Sequence, residues 1–524
     1  MGSLALLLAQ SDLPIDPTEV GPPVTPFVGP TIDWASIAPI LILVGGALLL
    51  LVTAALSPTR SRPGMITLFT VVVAGAALTD SLKLWNDIRD DGARLVLADA
   101  LSIDGFAVFF TVLICGSIIL TSLFADDYLR REDLPPAELN ALLLLAGAGG
   151  VIMASANDLI VLFLGLEVLS IALYVMAGFH LRREESQEAA IKYFVLGAFS
   201  SAFLLYGIAL TYGATGTTNL FEIAEFLSAN TLASNGLLMA GMALLLVGLG
   251  FKVAAAPFHL WTPDVYQGSP SPVTGYMASV AKAAGFAGLL RVFVSAFGIY
   301  SLDWTPAIGA LATLTLLVGA FLAIVQTDVK RILAYSSIGH AGYVLVGMQA
   351  GTDDGISGAL LYLFAYAFMV LGSFAVVTLV GRAGDDHHAL TDYHGLGRSR
   401  PFVAFAFTVF LLAQSGMPLT SGFLAKFSVI SAAVEAESYA LAVLAMLAAV
   451  VAAFLYLRII VAMYFGGDDA ATATAAGGES TPIAFPFGAR LGIGVALGIT
   501  LFVGFLPDAL VSFSRDATLL IGLG

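Results

Sequence analysis

Apolar runs long enough to cross a lipid bilayer follow one another through this chain, and they leave it few ways to fold. They cover roughly residues 36–56, 65–82, 103–124, 138–154, 158–179, 189–212, 236–256, 273–297, 306–326, 331–349, 356–380, 401–435, 440–464 and 489–512. A spanning helix needs about 20 apolar residues for ~30 Å of hydrocarbon. The runs therefore predict an all-α polytopic membrane protein of about fourteen transmembrane helices. Composition agrees, with 11% charged residues where soluble domains carry about 25%. The net charge of −15 says little about partners beyond the bilayer, because most acids fall in loops and tails. No nucleic-acid partner is expected.

Against this apolar background the stretch Gly250–Asp264, continuing through Tyr276 to Lys282, stands out. It places Lys252, His259, Asp264 and Lys282 in or beside spanning sequence, with Pro257 among them. A lysine near mid-bilayer costs about 2.5–3.5 kcal/mol or more. Proline removes a backbone donor and clashes with the preceding turn, so the helix must break or kink near Pro257. Hydrocarbon tolerates such a break only where protein or water covers the freed backbone groups. A hydrated, proton-capable site within the bilayer is the expectation. The run 401–435 repeats the arrangement: one straight helix of that length would be on the order of 50 Å long, Gly416–Gly422 interrupts it around Pro418, and Lys426 follows. Two discontinuous helices, each with a lysine, match what the halves of a transporter contribute.

Loop charge gives an orientation. With the N-terminus outside, the cytoplasmic loops hold Arg60, Arg62, Arg130, Arg131, Arg182, Arg183, Lys330, Arg331 and three further arginines between 382 and 400. The opposite loops hold only Lys83, Arg89 and Arg94. That is the positive-inside pattern, and both termini are expected on the outer face. Residues 1–35 read as an outer-face tail and 465–488 as a flexible cytoplasmic loop, with 489–524 forming the last helix and its tail. His387, His388 and His394 fall in another cytoplasmic loop, read as solvated rather than metal-binding. The single cysteine, Cys115, sits in an apolar run and reads as a small buried hydrophobe.

Of the six lysines, Lys192, Lys252, Lys282 and Lys426 lie inside the expected spans, while nearly all arginines mark loops or helix ends. Arginine stays charged, whereas a desolvated lysine can release its proton near neutral pH. Glu167 is the acidic counterpart and has no basic residue at helical spacing in its own run, so its partner must come from another helix. Lys192 follows Glu188 by four positions, which leaves a local salt bridge and a functional role both open. For Glu167, Lys252, Lys282 and Lys426 the bland alternative is static buried pairing, although ionisable groups inside membranes are usually functional. His340 is either a satisfied structural histidine or a shuttle. His259 and Asp264 are expected to cap loosened backbone at the break, and the many glycines to allow close helix packing. The chain shows no phosphate loop, ligand set or nucleophile constellation, so no cofactor or metal of its own is expected.

Three motifs carry a resemblance: Ala256-Pro257-Phe258-His259-Leu260-Trp261-Thr262-Pro263-Asp264 with the continuation to Thr274, Arg331–His340, and Gly416–Phe427. They closely resemble the subunit N family of bacterial proton-pumping NADH–quinone oxidoreductase (respiratory complex I), over essentially all of the chain from residue 36. The resemblance implies two inverted five-helix antiporter-like repeats, here 125–297 and 298–464, after three helices in 36–124. It implies that Glu167 and Lys252 pair, that Lys282 is the central lysine, His340 the central-axis histidine and Lys426 the terminal lysine. Glu188, Lys192 and His259 would serve a secondary path or pairing. Weakening the Glu167–Lys252 pair would release a proton towards Lys282, His340 and Lys426. NADH, FMN, iron–sulfur clusters and quinone would belong to other subunits. The implied partners are sister antiporter-like subunits, the other membrane subunits and the peripheral NADH-oxidising arm, in the bacterial inner membrane. Gln414-Ser415 and Ala448-Ala449 depart from the family pattern near Lys426. A subunit of a multisubunit Na⁺(K⁺)/H⁺ antiporter is the alternative, and a non-pumping scaffold a third reading.

Overall fold

The computed structural model describes residues 32–56, 63–231, 234–465 and 486–517. Most of the expected 1–35 tail and of the 465–488 loop lies outside the described residues. The helices are α1 (Ala38–Leu56), α2 (Pro63–Asp91), α3 (Gly105–Arg131), α4 (Pro136–Ser155), α5 (Leu159–Ala177), α6 (Glu184–Thr215), the short α7 (Leu220–Ala229), α8 (Gly236–Lys252) and α9 (Trp261–Gly268). They continue as α10 (Ser271–Ala296), α11 (Ser301–Ile324), α12 (Val329–Ala350), α13 (Asp353–Val380), α14 (Pro401–Ser415), α15 (Ser421–Glu435), α16 (Tyr439–Phe465), α17 (Phe487–Phe505) and α18 (Asp508–Asp516). Among the described residues eleven helices are long and apolar enough to cross a membrane. Between α2 and α3 an antiparallel hairpin pairs Arg94–Val96 with Leu101–Ile103.

The centre of the bundle is formed by α10 and α13, whose most apolar windows are each 94% buried, against 22% for α1. Lys282 and Arg291 of α10 are accordingly surrounded by protein, at 3% and 1% exposure. Glycines bring neighbours together as expected: a Cβ on Gly319 of α11 would sit 2.4 Å from the Gly339 nitrogen of α12. The two interruptions fall where proline and glycine demand them. α8 stops at Lys252 and α9 starts at Trp261, with Pro257 between; α14 stops at Ser415 and α15 starts at Ser421, with Pro418 between.

Two buried cations escape the loop-charge reading. Arg291 of α10 is 1% exposed and grips Asp104 in a two-pronged pair at 2.6 and 2.9 Å. Lys330, expected as a loop cation, is wholly buried. Its Nζ donates to the Ser269 carbonyl at 2.6 Å and lies 3.6 Å from Asp385. Asp385 also meets Arg183 at 3.3 Å and His388 Nε2 at 2.9 Å, and accepts from the Ser271 backbone N–H and hydroxyl at 3.0 and 2.7 Å. His388 is therefore not the solvated loop residue expected. It is 4% exposed because its loop docks back through Val329 N to His388 O and Leu390 N to Thr327 O. His387 stays half-exposed, 3.5 Å from Asp392.

This clasp ties the loops after α5 and α13 to the starts of α10 and α12, and it has a pH signature. Burial by itself would raise the Asp385 pKa; the Lys330 charge and the His388 and Ser271 hydrogen bonds outweigh it and hold the carboxyl below its usual range. A carboxyl depressed on folding contributes stability that is complete above its unfolded value of ~3.9 and is lost as pH falls through the folded one. Asp385→Asn removes the counter-charge of a buried lysine and should cost about 3–5 kcal/mol near neutral pH. Thermal unfolding in detergent should show that the gap between wild type and variant narrows as pH is taken below ~4.

Candidate functional site

Lys252 closes α8, at the lip of the first break. Its Nζ donates to Ser170 Oγ of α5 at 2.8 Å and lies 5.8 Å from the centre of the Tyr193 ring of α6. Ser170 in turn donates its hydroxyl hydrogen bond to the Leu166 carbonyl at 2.6 Å. Glu167 stands on the same helix as Ser170, but its Oε1 accepts from Ser201 at 2.5 Å, and no ion pair joins it to Lys252. The expected Glu167–Lys252 pair is thus corrected to two separate side chains. A small cavity lined by Ser170, Ser200, Ser201, Gly248 and Lys252 runs from the lysine to the hydroxyl that serves Glu167. The reason is local: α5 offers Ser170 to Lys252 and α6 offers Ser201 to Glu167, so each charge finds a neutral partner first.

Beyond the break lies a polar pocket lined by Arg183, Glu188, Lys192, Asp264, Arg331 and Asp386, among others. Lys192 pairs with Glu188 at 2.5 Å, the local bridge its spacing suggested, and also with Asp264 at 2.9 Å. Asp264 in turn takes Arg331 at 2.8 Å. Asp264 is therefore an ion-paired residue, not a cap for loosened backbone. His259 is buried, and among the described residues its Nδ1 meets no hydrogen-bonding group.

The second half of the site centres on α10. Lys282 follows a π-helical turn, Met277–Ala281, of the kind often found at functional positions. Its Nζ donates to the Ser337 hydroxyl at 2.7 Å and to the Ser337 carbonyl, and lies 5.7 Å from the Tyr366 ring centre. The Tyr366 ring is 4.6 Å from that of His340. His340 Nδ1 is 2.7 Å from Tyr362 Oη and its Nε2 3.1 Å from Tyr456 Oη. Tyr456 Oη is also 2.5 Å from Ser336 Oγ.

Lys426 ends the series. Its Nζ donates at 2.9 Å to the carbonyl of Ser415, the last residue of α14, and lies 4.9 Å from the Tyr343 ring centre. The break thus frees the carbonyl that the lysine uses. Gly416 makes this possible: its φ is +92°, and a Cβ there would lie 2.9 Å from Lys426 Cδ. One cavity, lined by Ser336, His340, Tyr343, Lys426, Ala448 and Tyr456, joins the histidine to the lysine. Gln414 donates to Ser373 at 2.7 Å beside Ser336, so this departure from the family pattern enlarges the polar network.

Sequence reading missed Ser170, Tyr193, Ser337, Tyr362, Tyr366 and Tyr456. They are neutral, and hydropathy does not separate them from packing residues; the i, i+4 spacing of Tyr362 and Tyr366 was the one available signal. Chemically, Lys252, Lys282 and Lys426 share one trait. Each ammonium meets neutral oxygens and an aromatic face, and among the described residues none of the three has a carboxylate at ion-pair distance. Among the described residues no group of three or more His, Cys, Asp or Glu is placed to hold a metal.

Residues 156–452 match the family model described as NADH:quinone oxidoreductase/Mrp antiporter, transmembrane. The chain is 42% identical over 495 residues to NADH-quinone oxidoreductase subunit N of Trichlorobacter lovleyi, covering 94% of this chain and 98% of that one. It superposes on a chain of respiratory complex I from Thermus thermophilus with TM-score 0.75 and 33% identity, covering 90% of this chain and 98% of that one. A chain of the Mrp complex of a Dietzia species gives TM-score 0.79 at 20% identity, over 93% and 97% of the two chains, a likeness of fold alone. With the membrane helices, the two broken spans and these relatives in agreement, the chain belongs to the subunit N family of NADH-quinone oxidoreductase.

Proposed function

We propose that this chain translocates protons through Glu167, Lys252, Lys282, His340 and Lys426, driven by NADH-to-quinone electron transfer in other subunits. The observation that carries this reading is the neutral setting of the three lysines. A carboxylate in contact would hold each as a static ion pair, and losing the proton would leave a buried charge alone. A hydroxyl or carbonyl oxygen instead accepts from an ammonium and from a neutral amine alike, so both states keep a hydrogen bond. Arg291–Asp104 and Lys330–Asp385 have the opposite character and serve as fixed structural pairs. Tyr456 extends the path, since its hydroxyl bridges His340 and Ser336 at the wall of the cavity that Lys426 shares.

In this scheme Glu167 acts on Lys252 across the serine-lined cavity and not by contact. Electron transfer elsewhere in the complex moves the Glu167 or Lys252 environment, Lys252 yields its proton by way of water to Lys282, and His340 and Tyr456 hand it on to Lys426. Redox cofactors (NADH, FMN, iron–sulfur clusters and quinone) lie in other subunits, and the partners are sister antiporter-like subunits and the peripheral arm, in a bacterial inner membrane. Fourteen crossings with both termini outside and two inverted repeats complete the reading. Its support is that the eleven long apolar helices, the two broken spans α8–α9 and α14–α15, and α12 add to that number. The cation/proton antiporter reading rests on likeness of fold.

Membranes carrying Lys252→Met or Lys282→Met should hold an assembled complex, seen on native gels, whose NADH-driven proton uptake and NADH–quinone activity both fall at least tenfold. Undiminished activity with a normal proton yield would sink the relay. Tyr456→Phe removes a single hydroxyl between His340 and Ser336. It should lower proton-coupled turnover by about 10²-fold or less while leaving assembly intact, and wild-type turnover would take Tyr456 out of the path.

A further inference from the structure

Lys192 and Tyr193 are consecutive on α6, and α9 meets both of them. Lys192 pairs with Asp264 at 2.9 Å in the polar pocket, where Glu188 and Arg331 complete the cluster. Tyr193 is fully buried and stacks on Trp261, the first residue of α9, with ring centres 4.5 Å apart and planes 12° from parallel. Trp261 and Asp264 are three residues apart, so they share a turn of α9. The other end of this contact is Lys252. Its ammonium is 5.8 Å from the same Tyr193 ring, and Trp261 Nε1 donates at 3.1 Å to the carbonyl of Phe251, the residue before Lys252.

Few other groups face Lys252. From α5 come Ser170 and Tyr174, with the Glu167 charge at longer range, and from α6 Ser200 and Ser201 line the same cavity. From α10, Gly285 touches the aliphatic stem, and Lys282 one turn away points its Nζ to Ser337. Among the described residues the Tyr193 hydroxyl meets no hydrogen-bond partner, so this residue contributes its ring. An aromatic face within about 6 Å favours a cation, and more so where water is excluded.

We propose that Tyr193 and Trp261 are positioning residues for Lys252, holding its ammonium beside Ser170, and that the Lys192–Asp264 ion pair sets their register. This rests on Lys252 being a proton carrier. With the ion pair intact, α9 is pinned to α6, the two rings stay stacked, and the turn that ends in Lys252 is fixed through Phe251. When the pair loosens, Arg331 still holds Asp264 and Gln267, but α9 loses its bridge to α6, and the stacking of Trp261 on Tyr193 and the anchored turn at Phe251 are relaxed beside the lysine. A charge in the polar pocket is thereby felt at a buried lysine that it does not touch, and the coupling must run both ways.

The test uses the assembled complex in native membranes, with NADH-driven proton translocation and NADH–quinone activity followed across pH. Tyr193→Leu and Asp264→Asn should each move the alkaline limb of coupled activity to lower pH by up to about one unit. Tyr193→Phe keeps the ring and should restore the wild-type profile. The double variant should shift no further than Tyr193→Leu alone, because both changes act on one contact. Should Tyr193→Leu fail to assemble, Trp261→Phe replaces it; it keeps an aromatic ring, removes the bond to Phe251, and should shift the limb in the same direction. An unshifted profile in Tyr193→Leu or in its substitute Trp261→Phe, or full additivity with Asp264→Asn, would overturn the proposal. Lys252→Met is run alongside: normal coupled activity in it would overturn the proton-carrier reading itself, whereas its loss with unshifted ring variants would overturn only the positioning.

Discussion

An ammonium inside a bilayer must find oxygen, and the rest of this structure depends on how that need is met. Unbroken helices spend their carbonyls on their own ladder and have none to give. Breaking α14 frees the Ser415 carbonyl for Lys426, and ending α8 at the first break leaves Lys252 free to reach Ser170. At Lys282 the oxygens come from Ser337 on α12, after a π turn has disturbed the regular ladder of α10. Helix irregularity and buried charge are two sides of one solution, since loosened backbone in hydrocarbon and an unsolvated lysine are each costly alone.

Two kinds of buried charge result. Arg291 with Asp104, and Lys330 with Asp385, are tight pairs between oppositely charged groups, and they pin α10 to the α3–α4 region and the 381–395 loop to α12. The three intramembrane lysines are different, being cradled by hydroxyls, carbonyls and tyrosine faces. The first kind fixes the scaffold; the second sets each ammonium against groups that carry no counter-charge to strand. Aromatic rings recur beside every lysine of the second kind, with Tyr193, Tyr366 and Tyr343 each within 6 Å of an ammonium. A π face supports a cation without trapping it, which a carboxylate would do.

Much of this was legible before any coordinates. Spanning length, the two proline breaks and the lysines Lys252, Lys282 and Lys426 follow from hydropathy and from the rule that charge in a membrane must have a reason. The i, i+4 spacing of Glu188 and Lys192 gave their bridge. Asp264 was misread as a cap because its partners, Lys192 and Arg331, are 72 and 67 positions away in the chain. His388 was misread as solvated and Lys330 placed among loop cations because loop composition says nothing about docking, and both lie against the buried Asp385.

The sequence by itself determined where the apolar helices run and where they must fail, because length, polarity and proline geometry act locally. Only the tertiary structure decided which neutral oxygen and which ring each lysine meets. It also decided that Ser170 and Ser201 stand between Lys252 and Glu167, and that Tyr456 joins His340 to the Lys426 cavity. Those pairings arise between helices far apart in the chain. A serine or tyrosine carries no mark in the sequence that distinguishes a proton's neighbour from a packing residue.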